Sequence, residues 1–342
     1  MLLMINSVPY WCLMTKLTGV NKSMNVNPYT LKSACTFSWA WLPLVLLGSI
    51  TCASPGNNAA FNLTEISAGV YVHQGKHVEL EHADHDDIAN IGFIIGDECI
   101  AVIDTGGSIG IGGKLREAVK KISSLPVCYV INTHIHYDHV LGNAAFKDDQ
   151  ARFVGHENLV QEMEYNRPFF LSEFTADLGE NPGDGSIIGP DIAVSGELDL
   201  DLGNRVITLT AHPPSHSYTD LSVYDKKTGT LWLSDLLFID RIPVLDASLK
   251  GWLKTMEKLK SVEANHVIPG HGTITMPWPE AARAQDDYLA MLLNDTRSEI
   301  NKGTFMEDVV ENVGKDEKTR WLLHEQNHRR NVTKAFSELE WE

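Results

Sequence analysis

A short run of metal-capable side chains sets the strongest limit on how this chain can fold. The apolar, strand-like residues 129–132 are followed by His134, His136, Asp138 and His139. In extended backbone, residues two positions apart point to the same side, so His134 and His136 can bind one cation. The turn that follows can direct Asp138 and His139 at a second cation nearby. Imidazole and carboxylate together suit zinc or a neighbouring transition metal.

Partners for this run lie further along the chain. His212 and His216 follow one strand-like segment, Asp235 ends another, and His271 follows a third that contains His266. A lone His-x-His pair carries little information, because surface histidines are common. A run of four candidate ligands at a strand end, with later partners at other strand ends, predicts a metal centre.

The order of these motifs, their placement at strand ends and their separations resemble those of the metallo-β-lactamase-fold hydrolases. The resemblance covers roughly residues 61–275. It implies an α/β fold, namely a four-layer αβ/βα sandwich (the metallo-β-lactamase fold) with a C-terminal helical extension. Residues 68–146 resemble a narrower subgroup, the periplasmic zinc hydrolases associated with sulfur oxidation and with quinoprotein relay systems.

The resemblance implies a site with seven ligands and two Zn²⁺ ions, with iron or manganese as alternative metals. The implied ligands are His134, His136 and His216 at the first metal, Asp138, His139 and His271 at the second, and Asp235 as a bridge. The family usually has Gly where this chain has Ser215, and the second histidine of that motif is the ligand. His216 is therefore preferred to His212. His271 is preferred to His266, because His266 lies inside a predicted strand.

Two further residues resemble family positions near the metals. Asp104 ends a predicted strand and resembles a buried acid that holds a ligand histidine from beneath. The alternative for Asp104 is an ordinary turn acid. His156 resembles a position beside the site, and the alternative is a histidine at a helix N-terminus.

Four closely spaced histidines, His73, His77, His82 and His85, precede the core motifs. We expect them to lie in a solvated hairpin loop rather than to line the site or to collect metal. Tyr137 lies between two ligands, and it could reach substrate or solvent.

The activity that the resemblance implies is hydrolysis of a small-molecule substrate. A metal-bridging hydroxide would attack the carbonyl carbon of an ester, thioester or amide-like group, with Asp138 as the catalytic residue that orients it. Asp235 bears on the substrate, because relatives that mainly hydrolyse β-lactams usually have Cys or Ser at that position. We therefore expect β-lactam hydrolysis to be at most a minor activity.

Two alternative functions remain open. The first is a glyoxalase-II-like thioesterase, in which Arg329, Arg330 and Lys334 would contact an anionic thiol conjugate. The polar face of an amphipathic helix is the simpler interpretation of those residues. The second is a non-catalytic, zinc-binding accessory protein of periplasmic dehydrogenases. A periplasmic quinoprotein dehydrogenase is accordingly a candidate partner.

The sequence divides into three parts. Residues 1–53 contain no acidic residue and end in an apolar run followed by small residues, which predicts an N-terminal segment with a secretory signal peptide and Met24 as a candidate true start. Residues 54–276 are the predicted catalytic domain, and residues 277–342 are the helical extension. The expected location is periplasmic or secreted, with no stable membrane span after processing. An anchor formed by an uncleaved N-terminal segment is the alternative.

Charge and cysteine content limit partners and compartment. The 342-residue chain has 28 basic and 45 acidic side chains, for a net charge of −17. Such a polyanion repels nucleic acid, so no nucleic-acid partner is expected. Cys99 and Cys128 each begin an apolar strand. We expect buried free thiols, with a disulfide as the alternative in an oxidising compartment.

Finer predictions concern the elements around the motifs. A helix is expected at residues 157–163, ended by Pro168, and a strand at residues 230–234, ended by Asp235. The apolar stripes in residues 277–342 are expected to pack on the sandwich or on a second subunit of a homo-oligomer.

Overall fold

Two β-sheets, of seven and five strands, form the centre of the fold. The computed structural model describes residues 61–180 and 182–342. The strands of the first sheet are β1 (Thr64–Ser67), β2 (Val70–His73), β3 (Ile91–Ile95), β4 (Ile100–Ile103), β5 (Val127–Ile131), β6 (Arg152–His156) and β7 (Ile192–Val194). The strands of the second sheet are β8 (Glu197–Asp201), β9 (Val206–Ala211), β10 (Leu221–Asp225), β11 (Thr230–Phe238) and β12 (His266–His271).

Helices follow or connect these strands. They are α1 (Ile109–Ile122), α2 (Tyr137–Val140), α3 (Leu159–Glu173), α4 (Leu249–Leu259), α5 (Arg283–Asn301), α6 (Met306–Asn312) and α7 (His324–Leu339). The Ser108 side chain begins α1 by accepting the N–H of Ile111 at 3.0 Å, and Ser248 begins α4 by accepting the N–H of Gly251 at 2.9 Å. These caps satisfy N–H groups that the first helical turn leaves without partners.

The strand order brings several strand ends to one edge of each sheet. In the first sheet, β1 to β4 pair antiparallel, and β4 to β7 pair in parallel. In the second sheet the order is β12-β11-β10-β9-β8, and β11 pairs in parallel with β12. Helices α1 and α4 make the crossovers β4–α1–β5 and β11–α4–β12. The carboxyl ends of the parallel strands therefore share one edge, where loop residues converge.

Side chains alternate across the sheets and define the layers. Phe93 lies on the outer face of the first sheet, in one cluster with Leu115 of α1. Ile103 and Trp232 lie between the two sheets. Trp252 of α4 packs on the outer face of the second sheet. Helix, sheet, sheet and helix form four layers, which confirms the predicted αβ/βα sandwich.

The C-terminal helices pack on the second sheet. Tyr288 of α5 and Val332 of α7 lie in one buried cluster with Leu233 and Leu237 of β11. The predicted apolar stripes therefore pack on the sandwich. Residues 61–342 form one compact unit. The domain boundary at 276/277 and a homo-oligomer stay predictions.

The predicted signal peptide, the segment 1–53 and the candidate start at Met24 lie outside the described residues. Within residues 61–180 and 182–342, no helix has the length and apolarity that a membrane span needs.

Two predicted element boundaries were wrong. Helix α3 continues through Pro168 to Glu173, because proline removes one backbone donor without preventing the flanking apolar residues, such as Phe170, from packing. Strand β11 continues past Asp235 to Phe238. The apolar residues after the acid fill the core beneath the C-terminal helices. Their burial keeps the strand going past a charged residue that would end an exposed strand.

The expectation of free thiols was also wrong. The structure joins Cys99 and Cys128 in a disulfide, with their Cα atoms 5.8 Å apart. Ile100, which follows Cys99 and begins β4, pairs with Val127, which precedes Cys128 and begins β5. Two neighbouring parallel strands thus begin side by side, within the usual Cα separation for a disulfide.

A buried arginine, which forms an ion pair within the second sheet and hydrogen bonds to the first, generates a stability prediction. Arg205 donates to both carboxylate oxygens of Asp225, at 3.0 and 2.6 Å, and to the carbonyls of Ala68 and Ile95, at 2.9 and 2.8 Å. Arg205→Met leaves a buried carboxylate without its cation. We expect it to lower the free energy of unfolding by about 3–5 kcal/mol, measured by denaturant titration.

The control is Arg152→Met, which removes an exposed pair with Asp191 whose Nε–Oδ1 distance is 2.6 Å. That substitution should cost less than about 1 kcal/mol. Equal costs for the two substitutions would contradict the role assigned to Arg205.

Candidate metal centre

The seven predicted ligands meet where the strand ends converge. Four follow β5, one lies in the loop between β9 and β10, one lies within β11, and one ends β12. They form two groups whose ligand atoms lie within 4.8 Å of one another: His134, His136, His216 and Asp235 in the first group, and Asp138, His139 and His271 in the second. The structure thus brings together all seven residues in the arrangement that the sequence predicted, and their role as ligands stays a prediction.

Asp235 reaches both groups. Its Oδ2 lies 3.3 Å from His216 Nε2 and 3.7 Å from His134 Nε2 in the first group. The same atom lies 3.3 Å from His271 Nε2, and Oδ1 lies 3.2 Å from His139 Nε2, in the second. Gly270 permits this approach, because a Cβ atom there would lie 1.8 Å from Asp235 Oδ1. One carboxylate therefore stands between two sets of imidazoles, as a bridging ligand must.

Each histidine has one ring nitrogen directed at the centre and the other held by the protein. The holding contacts are Thr133 Oγ1 at 3.1 Å for His134, Asp246 at 2.6 Å for His136, Asp104 at 2.8 Å for His139, the Val244 carbonyl at 2.6 Å for His216 and the Ile88 carbonyl at 2.8 Å for His271. An outer contact of this kind fixes the tautomer and the ring direction of a metal ligand.

Asp104 lies beneath the site as predicted. One carboxylate oxygen accepts the N–H of Thr133 at 2.8 Å, and the other accepts Thr133 Oγ1–H and contacts His139 Nδ1, both at 2.8 Å. Both Asp104 and Ser234 have positive φ, 56° and 47°, and Ser234 Oγ lies 3.2 Å from Asp104. Left-handed non-glycine residues are costly and collect at functional sites.

The donor set fits a divalent cation. Within residues 61–180 and 182–342, His139 Nε2 and Asp235 Oδ1 are fully buried and have no hydrogen-bond partner. Buried polar atoms almost always have a partner, so these two atoms lack what a cation would supply. Imidazole and carboxylate donors suit zinc and its neighbours.

The pKa values of the histidines differ between the two ligand groups. Burial lowers the pKa of His134 well below its usual value, that of His136 to about 4 and that of His216 to about 3. Those three imidazoles are neutral at pH 7, as ligands must be. Burial also opposes a charge on His139, but the carboxylates of Asp235, Asp138 and Asp104 raise its pKa well above the usual range. Three acids thus surround one imidazole and favour a cation there.

Two alternative ligands lie away from this centre. His212 directs Nε2 at Ser222 Oγ, 2.7 Å away, so its ring lies on the outer face of the second sheet. His266 begins β12, at the opposite end from His271. His156 contacts the Asn158 N–H at 3.1 Å and the His212 backbone. No contact between His156 and a predicted ligand is seen in the described part of the chain, and its role stays a prediction.

Of the four histidines expected to be solvated, His82 is exposed and His77 and His85 are half-buried, whereas the expectations for His73 and for Tyr137 were wrong. His73 is buried, 2.7 Å from Asp87 and stacked on Phe61 at 3.9 Å, because the later acid provides it with a partner. Tyr137 is also buried. It stacks on Phe174 with ring centroids 4.4 Å apart, so it supports the wall of the site and does not reach solvent.

Some residues that support the ligands from outside were not predicted from the sequence. Asp246 contacts His136, and Arg330 of α7 pairs with Asp246. Arg241 Nη1 lies 3.2 Å from His271 Nδ1, and its Nε is buried without a hydrogen-bond partner among the described residues. No motif marks these positions. The sequence marks Arg330 only as one of three basic residues of this helix that could contact an anionic substrate.

Comparison with known proteins agrees with this geometry. The sequence profile of the metallo-beta-lactamase superfamily matches residues 86–271. The chain belongs to this superfamily. Neither the profile nor the relatives test the narrower subgroup resemblance, which stays a prediction.

Individual relatives are distant. A linear primary-alkylsulfatase from Pseudomonas sp. (strain ATCC 19151) is 23% identical in a 255-residue alignment that covers 63% of this chain. The chain spans about half of that relative's length, 48%. A metallo-beta-lactamase from Pontibacter korlensis has 19% identity and a TM-score of 0.55 over 67% of this chain and 98% of its own. A double mutant of the sec-alkyl sulfatase PisA1 has 16% identity and a TM-score of 0.60 over 80% of this chain and 49% of its own. At such identities the structural likenesses establish the fold alone.

The contact between Asp104 and His139 generates a metal-binding prediction. Asp104→Asn keeps the shape of the side chain but removes the charge that orients and polarises His139. We expect metal affinity at the second group to fall about 10–100-fold, measured by titration of the metal-free protein with Zn²⁺ in a competing chelator.

Asp240→Asn is the control, because Asp240 also has a positive φ, 63°, but is exposed and contacts Thr273. It should bind Zn²⁺ like the unaltered protein. A loss of affinity of the same size in both variants would show that the backbone conformation, and not the His139 contact, is responsible.

Proposed function

We propose that this protein is a binuclear metal-dependent hydrolase, with Zn²⁺ as the metal. The observation that carries the proposal is the pair of ligand groups that share Asp235, each with buried donors directed inward. A single structural metal would need four protein ligands and no shared acid.

The chemistry divides between the cations and the chain. Two divalent cations, when bound, would act as Lewis acids and lower the pKa of water from about 15.7 to about 7. The first group would supply three neutral imidazoles and so leave an open position for water or substrate. Asp138, whose pKa is lowered because the neighbouring His139 and His271 outweigh the effect of burial, is ionised at pH 7. It can accept a hydrogen bond from the attacking water and hold it in line.

The first substrate candidate is a carboxylic ester, thioester or amide-like compound. An acid at position 235 supports this choice over β-lactams, because relatives that mainly hydrolyse β-lactams usually have Cys or Ser there. A location in the periplasm or outside the cell, and a link to a quinoprotein dehydrogenase, are further proposals that rest on the sequence alone.

Metal removal tests the proposal directly. The chelator-treated protein should lose hydrolysis of p-nitrophenyl acetate and of a thioester, and Zn²⁺ should restore it. His134→Ala should lower turnover by at least about 10²-fold, while His212→Ala, in the same fold but directed at Ser222, should retain turnover. Hydrolysis that persists without metal, or equal losses in both variants, would overturn the proposal.

A second candidate substrate is a sulfate ester. Two of the similar proteins are alkyl sulfatases. In addition, Arg241 places a guanidinium next to His271, and no carboxylate pairs with it among the described residues. If His271 binds metal through Nε2, its Nδ1–H donates to the Ile88 carbonyl and offers Arg241 no acceptor. An anionic substrate would provide that acceptor.

The ratio of activities towards anionic and neutral substrates tests this candidate. Arg241→Ala should lower kcat/KM for p-nitrophenyl sulfate relative to that for p-nitrophenyl acetate by about tenfold or more, since a charged hydrogen bond contributes about 1.5–3 kcal/mol. Arg283→Ala, at an exposed position that begins α5, is the control and should keep the ratio. An unaltered ratio in Arg241→Ala would exclude a substrate contact by Arg241.

A further inference from the structure

We infer that helix α7 of the C-terminal extension positions the first ligand group, and that Arg330 is a positioning residue that acts on His136 through Asp246. The inference rests on the proposed metal site. It assigns a role in metal binding to a helix outside the residues that match the superfamily profile, 86–271.

The starting point is the orientation of His136. Its Nδ1 lies 3.1 Å from His134 Nε2 and 2.9 Å from His216 Nε2, so Nδ1 faces the centre. Its Nε2 faces outward and lies 2.6 Å from Asp246 Oδ2. The carboxylate therefore selects the tautomer with a proton on Nε2, which leaves Nδ1 free to bind a cation.

Asp246 is in turn held by α7 and by the backbone. Its Oδ1 contacts the guanidinium of Arg330, and its N–H donates to the His216 carbonyl at 3.0 Å. A half-buried carboxylate is stabilised by a neighbouring cation, and Arg330 provides one. Burial also lowers the pKa of Arg330 to about 10, which leaves it charged at pH 7.

A neighbouring residue of α7 holds the same loop. Asn331 Oδ1 accepts the N–H of Leu245 at 2.9 Å, and Nδ2 donates to the Pro243 carbonyl at 2.6 Å. Val244 lies between Pro243 and Leu245, and its carbonyl accepts a hydrogen bond from His216 Nδ1 at 2.6 Å. Thus α7 fixes the segment 243–246, and that segment orients two of the three imidazoles in the first group.

Two further hydrogen bonds hold the residues that follow this segment. Glu338, two turns further along α7, accepts from Ser248 Oγ at 2.8 Å and from the N–H of Leu249. The helix therefore contacts the loop at three points along its length. Three separate contact points fix the position and the orientation of the loop relative to α7.

The second ligand group has different supports. His139 is held by Asp104, and His271 by the Ile88 carbonyl. Both supports come from the N-terminal half of the described chain, and neither Asp104 nor Ile88 contacts α7 in the hydrogen bonds and ion pairs of the described residues. A change at Arg330 should therefore weaken one metal position more than the other, whereas a general loss of stability would weaken both.

Titration of the metal-free protein with Co²⁺, followed by absorption spectroscopy, tests this inference. The unaltered protein should bind two equivalents. Arg330→Ala should weaken one of the two binding constants by about 10–100-fold and should keep the other. The remaining spectrum should be the component that Asp104→Asn lacks. Arg330→Lys keeps the charge but not the planar fork, and it should restore part of the lost affinity.

The matched control is Arg329→Ala. Arg329 is the preceding residue of the same helix, but it is exposed and pairs with Glu311 on the surface. It should titrate like the unaltered protein. Thermal unfolding of the metal-free variants checks that each is folded. If Arg330→Ala does not fold, Asp246→Asn takes its place, since it keeps the shape of the acid and removes the charge.

The outcomes separate the inference from the proposed function. If both Co²⁺ binding constants of Arg330→Ala are unaltered, or are weakened equally, the proposed role of α7 is overturned, but the proposal of a metal-dependent hydrolase is not. An unaltered protein that binds no Co²⁺ or Zn²⁺ would overturn the proposed function, and this inference with it. Selective loss of one constant, together with partial recovery in Arg330→Lys, supports the inference.

Discussion

Three carboxylates surround the imidazole of His139 in the interior of this protein. Asp104 contacts one ring nitrogen, and Asp138 and Asp235 lie near the other. Mutual repulsion among buried acids is severe at low dielectric, so the arrangement is stable only with positive charge at its centre. The sheets, loops and caps described above hold the acids against this repulsion. The need for positive charge, which a protonated His139 or a bound cation can supply, is thus a property of the packed structure and not of any one ligand.

The local part of this arrangement could be predicted from the sequence, because strand periodicity reports which side chains share a face. His134 and His136 are two positions apart at the end of a strand, and the structure directs both at one point. The partners far along the chain, such as His271, could be predicted because parallel strands end at one edge of a sheet. The resemblance to the superfamily resolved the remaining ambiguity at His216.

Other features could not be predicted, because they depend on contacts between distant segments. Asp246 and Arg330 lie in different motif-free parts of the sequence and meet only after α7 packs on the second sheet. Helix α3 tolerates Pro168, and β11 continues past Asp235, because burial outweighs local propensity. Cys99 and Cys128 pair because two strands begin side by side, which spacing in the sequence does not report.

The docking of α7 on the segment 243–246 has a consequence for the order in which the protein is made. All seven ligands precede residue 272, and Arg330 and Asn331 follow them in the sequence. During synthesis the ribosome therefore releases both sheets and every ligand before it releases the helix that orients His136 and His216. The supports of the second ligand group, Asp104 and Ile88, are made early, whereas the contacts from α7 to the first group can form only after Arg330 and Asn331 are made. A chain shortened before Arg330 would therefore contain every ligand residue but lack the contacts from α7 to the segment 243–246.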